Sequence, residues 1–320
     1  MGGITVRFWG TRGSLPAPLT AHDVREKIAQ ALVAAAGKNL DTLEKAHAFA
    51  TSLPFASSGT FGGNSSCVEL KSEGAPAVLL DMGSGARQAG IEAMRRLAGK
   101  PGEFHIFMSH PHWDHIMGFP FFTPAYIAGH HIRIYGCHAQ IEQAFRLQQA
   151  APCFPVEFST MGARIEFVRL EADRVYDIAG YRITAKLQAH GGDSYGYRFE
   201  RDGRTVIYST DSEHKLENKA ATMGFVDFFR NADLVIFDAM YSLADAISCK
   251  ADWGHSSNMV GVELCQMANV KHLALYHHEP AYNDAMIEQI WRESQRLEEI
   301  TRDAHRVEVT AAYDGLEIAL

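Results

Sequence analysis

Ser109-His110-Pro111-His112-Trp113-Asp114-His115 places three histidines and one aspartate within six residues, directly after the apolar run Phe104–Ser109. A strand that ends in such a turn can aim alternate side chains at two neighbouring points. Imidazole and carboxylate are the donors that borderline divalent cations take. A lone histidine here would read as a solvated loop residue. Four potential ligands at this spacing point instead to a metal centre with room for two ions.

The flanking sequence alternates between strand and helix patterns. Ile4, Val6 and Phe8 alternate with Thr5, Arg7 and Trp9, the period of a half-buried strand. Residues 21–50 are Ala-rich with helical spacing and a break at Gly37-Lys38-Asn39, which predicts two helices inserted at about residues 21–55. Strands are expected at Cys67–Lys71, Val78–Asp81, Phe104–Ser109, Ile132–Tyr135, Arg164–Leu170, Tyr181–Gln188, Tyr195–Glu200, Arg204–Ser209, Leu234–Asp238, His272–Tyr276, Arg306–Thr310 and Leu316–Leu320. Asp202-Gly203 suits a two-residue hairpin turn. Asn258–Met267 and Asp284–Ile300 carry helical spacing. With no internal repeat and no flexible linker, residues 1–320 read as one α/β domain with an N-terminal helical insertion.

Composition narrows the partners. Of 320 residues 47% are hydrophobic, which suffices for a large core, and the net charge is −8. No basic stripe is visible, which counts against long nucleic acid, because phosphate neutralisation supplies most of that affinity. Five scattered cysteines (Cys67, Cys137, Cys153, Cys249, Cys265) without a CxxC pair read as small buried hydrophobes in a reducing compartment. No leader pattern and no membrane-length apolar run is present, so the expectation is a soluble, cytoplasmic protein with no membrane partner.

The metal run resembles the HxHxDH signature of metallo-β-lactamase-fold hydrolases, and the resemblance covers nearly the whole chain. Val78-Leu79-Leu80-Asp81-Met82-Gly83-Ser84-Gly85 is similar to the strand–Asp–Gly-x-Gly motif that precedes it. Ala189-His190-Gly191, Tyr208-Ser209-Thr210-Asp211 and Leu273-Ala274-Leu275-Tyr276-His277 resemble the later ligand motifs, in the family's order. The resemblance implies an αββα four-layer sandwich. It implies that His110, His112 and His190 bind one metal, that Asp114, His115 and His277 bind a second, and that Asp211 bridges them. Asp81 would hold a ligand side chain without touching metal. His278, one residue on, is the alternative to His277. Two divalent ions are expected; the donor set suits zinc, manganese or iron and the sequence does not separate them, with zinc the first expectation. The family also implies a homodimer.

Within the superfamily, Gly254-His255-Ser256-Ser257 looks like the Gly-His-Ser/Thr motif of ribonuclease Z-like phosphodiesterases, and Arg7–Ser14 and Gly62–Cys67 resemble a branch close to the cyclic-nucleotide phosphodiesterases. The implied reaction is attack by a hydroxide shared by two cations, with Asp114 orienting it and His255 assisting the leaving oxygen. The bland reading of His255 is a helix-start neighbour with no chemistry. Only the hairpin Tyr195–Ser209 separates His190 from Asp211, which leaves no room for the protruding arm of tRNA-processing relatives. Small phosphodiesters, cyclic nucleotides among them, fit better. Phe119-Pro120-Phe121-Phe122 and Tyr126 suit a pocket wall and core packing equally. His214 is a weaker site-lining candidate, while His130, His131 and His138 read as surface or loop residues. Three rivals stand beside this reading. They are a carboxylic ester, thioester or lactone hydrolase on the same metals, an iron oxidoreductase, and a non-catalytic metal-binding regulatory protein.

Overall fold

The alternation of β1 (Ile4–Gly10) turns Ile4, Val6 and Phe8 into a core, and the same rule runs through the chain. The computed structural model describes residues 3–246, 250 and 252–320. The further strands are β2 (Cys67–Ser72), β3 (Ala77–Leu80), β4 (Glu103–Phe107), β5 (His131–Gly136), β6 (Arg164–Arg169), β7 (Val175–Ile178), β8 (Tyr181–Gln188), β9 (Ser194–Arg201), β10 (Arg204–Ser209), β11 (Leu234–Asp238), β12 (His272–Tyr276), β13 (Glu308–Ala311) and β14 (Glu317–Ala319). They form two seven-stranded sheets, ordered β14-β1-β2-β3-β4-β5-β6 and β13-β12-β11-β10-β9-β8-β7.

Three hydrophobic layers define the sandwich. Val6, Val68, Leu80 and Phe107 of the first sheet meet Ile183, Phe199, Val206 and Ile236 of the second. The outer face of the first sheet packs Leu79, Ile106 and Ile134 against Ala86, Ala89 and Phe145 of the helices Ala86–Leu97 and Ile141–Gln148. The outer face of the second packs Ile207, Val235 and Leu275 against Val226, Phe229 and Leu264 of Lys219–Phe229 and Asn258–Met267. Each fully buried aliphatic or aromatic side chain contributes about 1.5–3 kcal/mol. The result is the expected αββα four-layer metallo-β-lactamase sandwich.

β3 to β6 run parallel in the first sheet, and β10 to β13 in the second. Parallel strands place all their carboxyl ends on one edge, where an open α/β sheet binds its ligands.

Several elements depart from the sequence reading. β7 is a half-exposed hairpin arm with too little apolar contrast to stand out. The helix Ala86–Leu97 buries Ala86, Ala89, Gly90 and Ala93, a face of small residues that carries almost no hydrophobic signal. The N-terminal helices appear as Ala21–Ala34, Leu43–Ser52 and Phe55–Ser58, with the expected break inside 35–42. His130 is buried, its Nδ1 accepting Gly102 N–H at 2.7 Å, where a surface residue was expected. Cys67, Cys137 and Cys265 are buried, but Cys153 is exposed, and Cys249 lies outside the described residues. Among the described residues, no helix is long and apolar enough to cross a membrane.

Candidate metal centre

Six strands deliver the centre. Asp81 follows β3, His110 follows β4, His190 follows β8, Asp211 follows β10, Asp238 ends β11 and His277 follows β12. Asp81, Asp211 and His277 take positive φ values of 57°, 48° and 61°. Non-glycine residues adopt that region rarely, and such conformations gather at functional sites. Here they turn the chain sharply as it leaves the sheet.

Among the described residues, four overlapping groups of side chains have donor atoms close enough to hold one ion. They are an outer group of His110, His112 and His190, an inner group of Asp114, His115, Asp211 and His277, and two that include His255, with His190 and Asp211 or with Asp238 and His277. In the outer group His112 Nδ1 lies 2.9 Å from His110 Nε2 and 3.2 Å from His190 Nε2. The inner group is buried throughout. Asp211 faces both the outer and the inner group. Its Oδ1 lies 3.1 Å from His115 Nε2 and 3.2 Å from His277 Nε2, while Oδ2 lies 3.6 Å from His110 Nε2 and 3.7 Å from His190 Nε2. All seven expected ligands are therefore brought together, with Asp211 facing both groups.

The ring orientations suit metal. His115 donates Nδ1–H to Asp81 at 2.7 Å, and His190 donates Nδ1–H to the Gly254 carbonyl at 2.8 Å, so each turns Nε2 inward. His115 Nε2 is buried with no hydrogen-bond partner, although two carboxylate oxygens stand 3.1 Å away. Burial would push His115 toward neutrality, yet Asp114, Asp211 and Asp81 raise its pKa well above the ordinary range. Burial would likewise raise Asp114 and Asp211, but His115 holds both well below the carboxylate range. At His110 and His112 burial prevails and lowers the pKa, leaving neutral imidazoles. A point that attracts positive charge beside neutral imidazoles fits a cation site, and the fold itself implies divalent metal binding.

Backbone packs tightly around the centre. A Cβ on Gly13 would come within 2.6 Å of the His277 ring, and one on Gly254, at φ +81°, within 2.7 Å of His190 Nδ1. The adjoining Ser14 N–H donates to Asp114 Oδ2 at 2.8 Å.

His255 stands beside both groups, its ring 5.0 Å from that of His190 and 5.2 Å from that of His277. It donates Nδ1–H to Asp238 Oδ2 at 2.8 Å, and that oxygen also accepts Ser212 N–H. Burial opposes charge on His255, but Asp238 outweighs it and pushes the pKa up to about 9. The sequence reading missed Asp238. Its signal was a short apolar strand ending in a carboxylate, the pattern that marks Asp81 and Asp211.

Other candidates fall away. His278 turns into the core, its Nε2 donating to the Ala312 carbonyl at 2.8 Å, so His277 is the member of the pair at the centre. His214 packs against Phe225, Phe229 and Phe237. Phe119 and Phe122 are core residues, while Phe121 is 55% exposed against Phe154, so core packing accounts for most of that run.

Comparison with known proteins agrees with this geometry. A ribonuclease Z of Enterococcus faecalis is 23% identical over 66% of this chain and 81% of its own length. The metallo-β-lactamase-fold protein YhfI of Bacillus subtilis superposes over the whole of both chains with a TM-score of 0.64 at 18% identity. Zn(2+)-bound PqqB of Methylobacterium extorquens does so over 99% of this chain with a TM-score of 0.63 at 15% identity. The beta-lactamase superfamily domain matches residues 77–278, a span that begins with the strand delivering Asp81 and closes on the histidine pair after β12. With that span enclosing every side chain of both groups, the chain belongs to the beta-lactamase superfamily and is a metal-dependent hydrolase of the metallo-β-lactamase fold.

Proposed function

We propose that the chain, acting over residues 1–320 as one unit with the helical segment at about 21–55 as an insertion, hydrolyses a small phosphodiester such as a cyclic nucleotide. Two divalent ions serve it, with zinc the first choice because PqqB carries it on the same fold. His110, His112 and His190 would hold one ion, Asp114, His115 and His277 the other, with Asp211 between them and Asp81 behind His115. Bound there, the ions would lower the pKa of a water they share and neutralise charge on the phosphoryl oxygens.

The observation that carries the reading is the Asp238–His255 pair. Asp238 occupies His255 Nδ1, which leaves Nε2 as the ring nitrogen free to hold a proton beside both groups. A phosphodiester expels an alkoxide, and His255 supplies the proton that oxygen needs as its bond to phosphorus breaks. Asp114, held by Ser14 N–H, orients the attacking water and takes its proton. The relatives named ribonuclease Z support phosphodiester chemistry in this lineage. They also support a second reading, in which the substrate is RNA. The short β9–β10 hairpin and the net charge of −8 favour the small substrate.

The test is turnover of bis(p-nitrophenyl) phosphate, a panel of cyclic nucleotides, a precursor tRNA, a carboxyl ester and a thioester, using protein whose metal content has been counted. Phosphodiester turnover with about two ions per chain is expected, and His255→Ala should keep both ions while losing roughly 10²–10³-fold in kcat. His255, Asp211 and His190 could also hold an ion together, so loss of metal in His255→Ala would make it a ligand instead. Preference for the esters would overturn the phosphodiester assignment, and preference for the precursor tRNA would overturn the small substrate.

A further inference from the structure

Asp81 is fully enclosed and accepts four hydrogen bonds. Its Oδ1 accepts Ser109 N–H at 2.7 Å. Its Oδ2 accepts Ser109 Oγ–H at 2.6 Å, His115 Nδ1–H at 2.7 Å and Tyr208 Oη–H at 2.8 Å. Because the Ser109 hydroxyl gives its one proton to Asp81, its oxygen is left to accept, and His110 Nδ1 lies 3.0 Å away. The carboxylate therefore sets the tautomer of His115 directly and that of His110 through one hydroxyl. His115 belongs to the inner group and His110 to the outer.

We infer that Ser109 is a positioning residue for the outer metal position, the link by which Asp81 serves both ions. The inference rests on the two-ion reading above. Without the Ser109 hydroxyl, His110 loses the acceptor that turns its Nε2 inward, whereas His115 keeps its direct bond to Asp81. Partners of this kind are worth about 10–100-fold in metal affinity. The effect of Ser109→Ala should therefore fall on one site. Tyr208→Phe removes a donor from Asp81 but leaves the serine link whole, and Asp81→Asn disturbs both branches.

The experiment titrates the full chain with cadmium and follows the two bound ions by cadmium-113 NMR, with a competing chelator to rank affinities. His112→Ala identifies the outer resonance by its loss. Ser109→Ala should weaken that ion about 10–100-fold and leave the inner ion within about threefold of wild type. Ser109→Thr, which retains the hydroxyl, should restore it, and Asp81→Asn should weaken both. Equal weakening of both ions in a folded Ser109→Ala, or of neither, overturns the link. A wild-type chain that takes up only one ion overturns the two-ion reading and the link with it. The site-selective pattern supports the link whether or not the protein cleaves phosphodiesters, so the two proposals can fail separately.

Discussion

The side chains of the metal centre are largely held from behind by a second group, whereas the three helices between Ala21 and Ser58 bury no residue at all. His115 leans on Asp81, His190 on Gly254, His255 on Asp238 and Asp114 on Ser14. The helical segment leaves Val24, Ile28, Leu32, Val33 and Leu43 exposed, and one of its ties to the body is polar. Lys27 Nζ meets Asp284 Oδ2 at 2.7 Å and donates to the Gly59 carbonyl at 2.9 Å, while Asp284 also accepts Phe61 N–H at 2.9 Å. The lesson is that hydrogen-bonded support is concentrated where donor atoms must converge. The helical segment is anchored instead by the Lys27–Asp284 pair and by Phe55 packed against Phe61 and Tyr313.

The sharpest way to break that contrast is Asp211→Ala. Asp211 faces both groups, so the variant should lose bound metal from both and fall on the order of 10³-fold in turnover. A variant that kept two ions by elemental analysis would overturn the proposed bridging role of Asp211.

Acid should act next on His214, which lies outside both groups. Enclosure among phenylalanines lowers His214 to about 4, against 6.5 for a free histidine, so the unfolded chain takes up a proton in a range where the folded chain refuses it. The stabilisation is complete above about pH 6.5 and is lost as pH falls toward 4. At about 1.4 kcal/mol per pKa unit the window is worth roughly 3–3.5 kcal/mol. Denaturant titrations of the chelator-treated protein should show this acid limb, and His214→Phe should flatten it. An unchanged slope in the variant would assign the acid loss to other groups.

Lys27→Met should cost about 2 kcal/mol, because Asp284 stays buried with Arg12 no nearer than 3.9 Å. Urea unfolding measures it, with metal affinity expected to stay near wild type. A fall in affinity would show that the segment does support the centre. The smallest effect belongs to Leu32→Ser on the exposed face, within about 0.5 kcal/mol. A loss several times larger would mean that the face is covered in solution.

The layered fold was legible because strand alternation and apolar runs report burial directly. The helix Ala86–Leu97 escaped, since Ala89, Gly90 and Ala93 pack closely without a hydrophobic signature, and the helices Ile141–Gln148 and Lys219–Phe229 were also not expected. His130 escaped because neighbouring residues in sequence do not reveal that the Gly102 turn closes over it. Spacing marked His110, His112, Asp114 and His115, which leave one turn together. His190, Asp211 and His277 were recognisable only by resemblance, because each stands alone at its own strand end.

What the sequence determined by itself was the inventory: which donor atoms exist, and that each sits where a strand stops. The tertiary structure decided which donors meet. It chose His277 over His278, since the positive φ at His277 turns the first ring toward Asp211 and the second toward Ala312. It paired Asp238 with His255 across 17 residues and tied Asp81 to Tyr208 across 127. Local sequence sets where a side chain leaves the sheet, but convergence within hydrogen-bond distance depends on how two sheets pack, and that is settled only by burying both of their inner faces together.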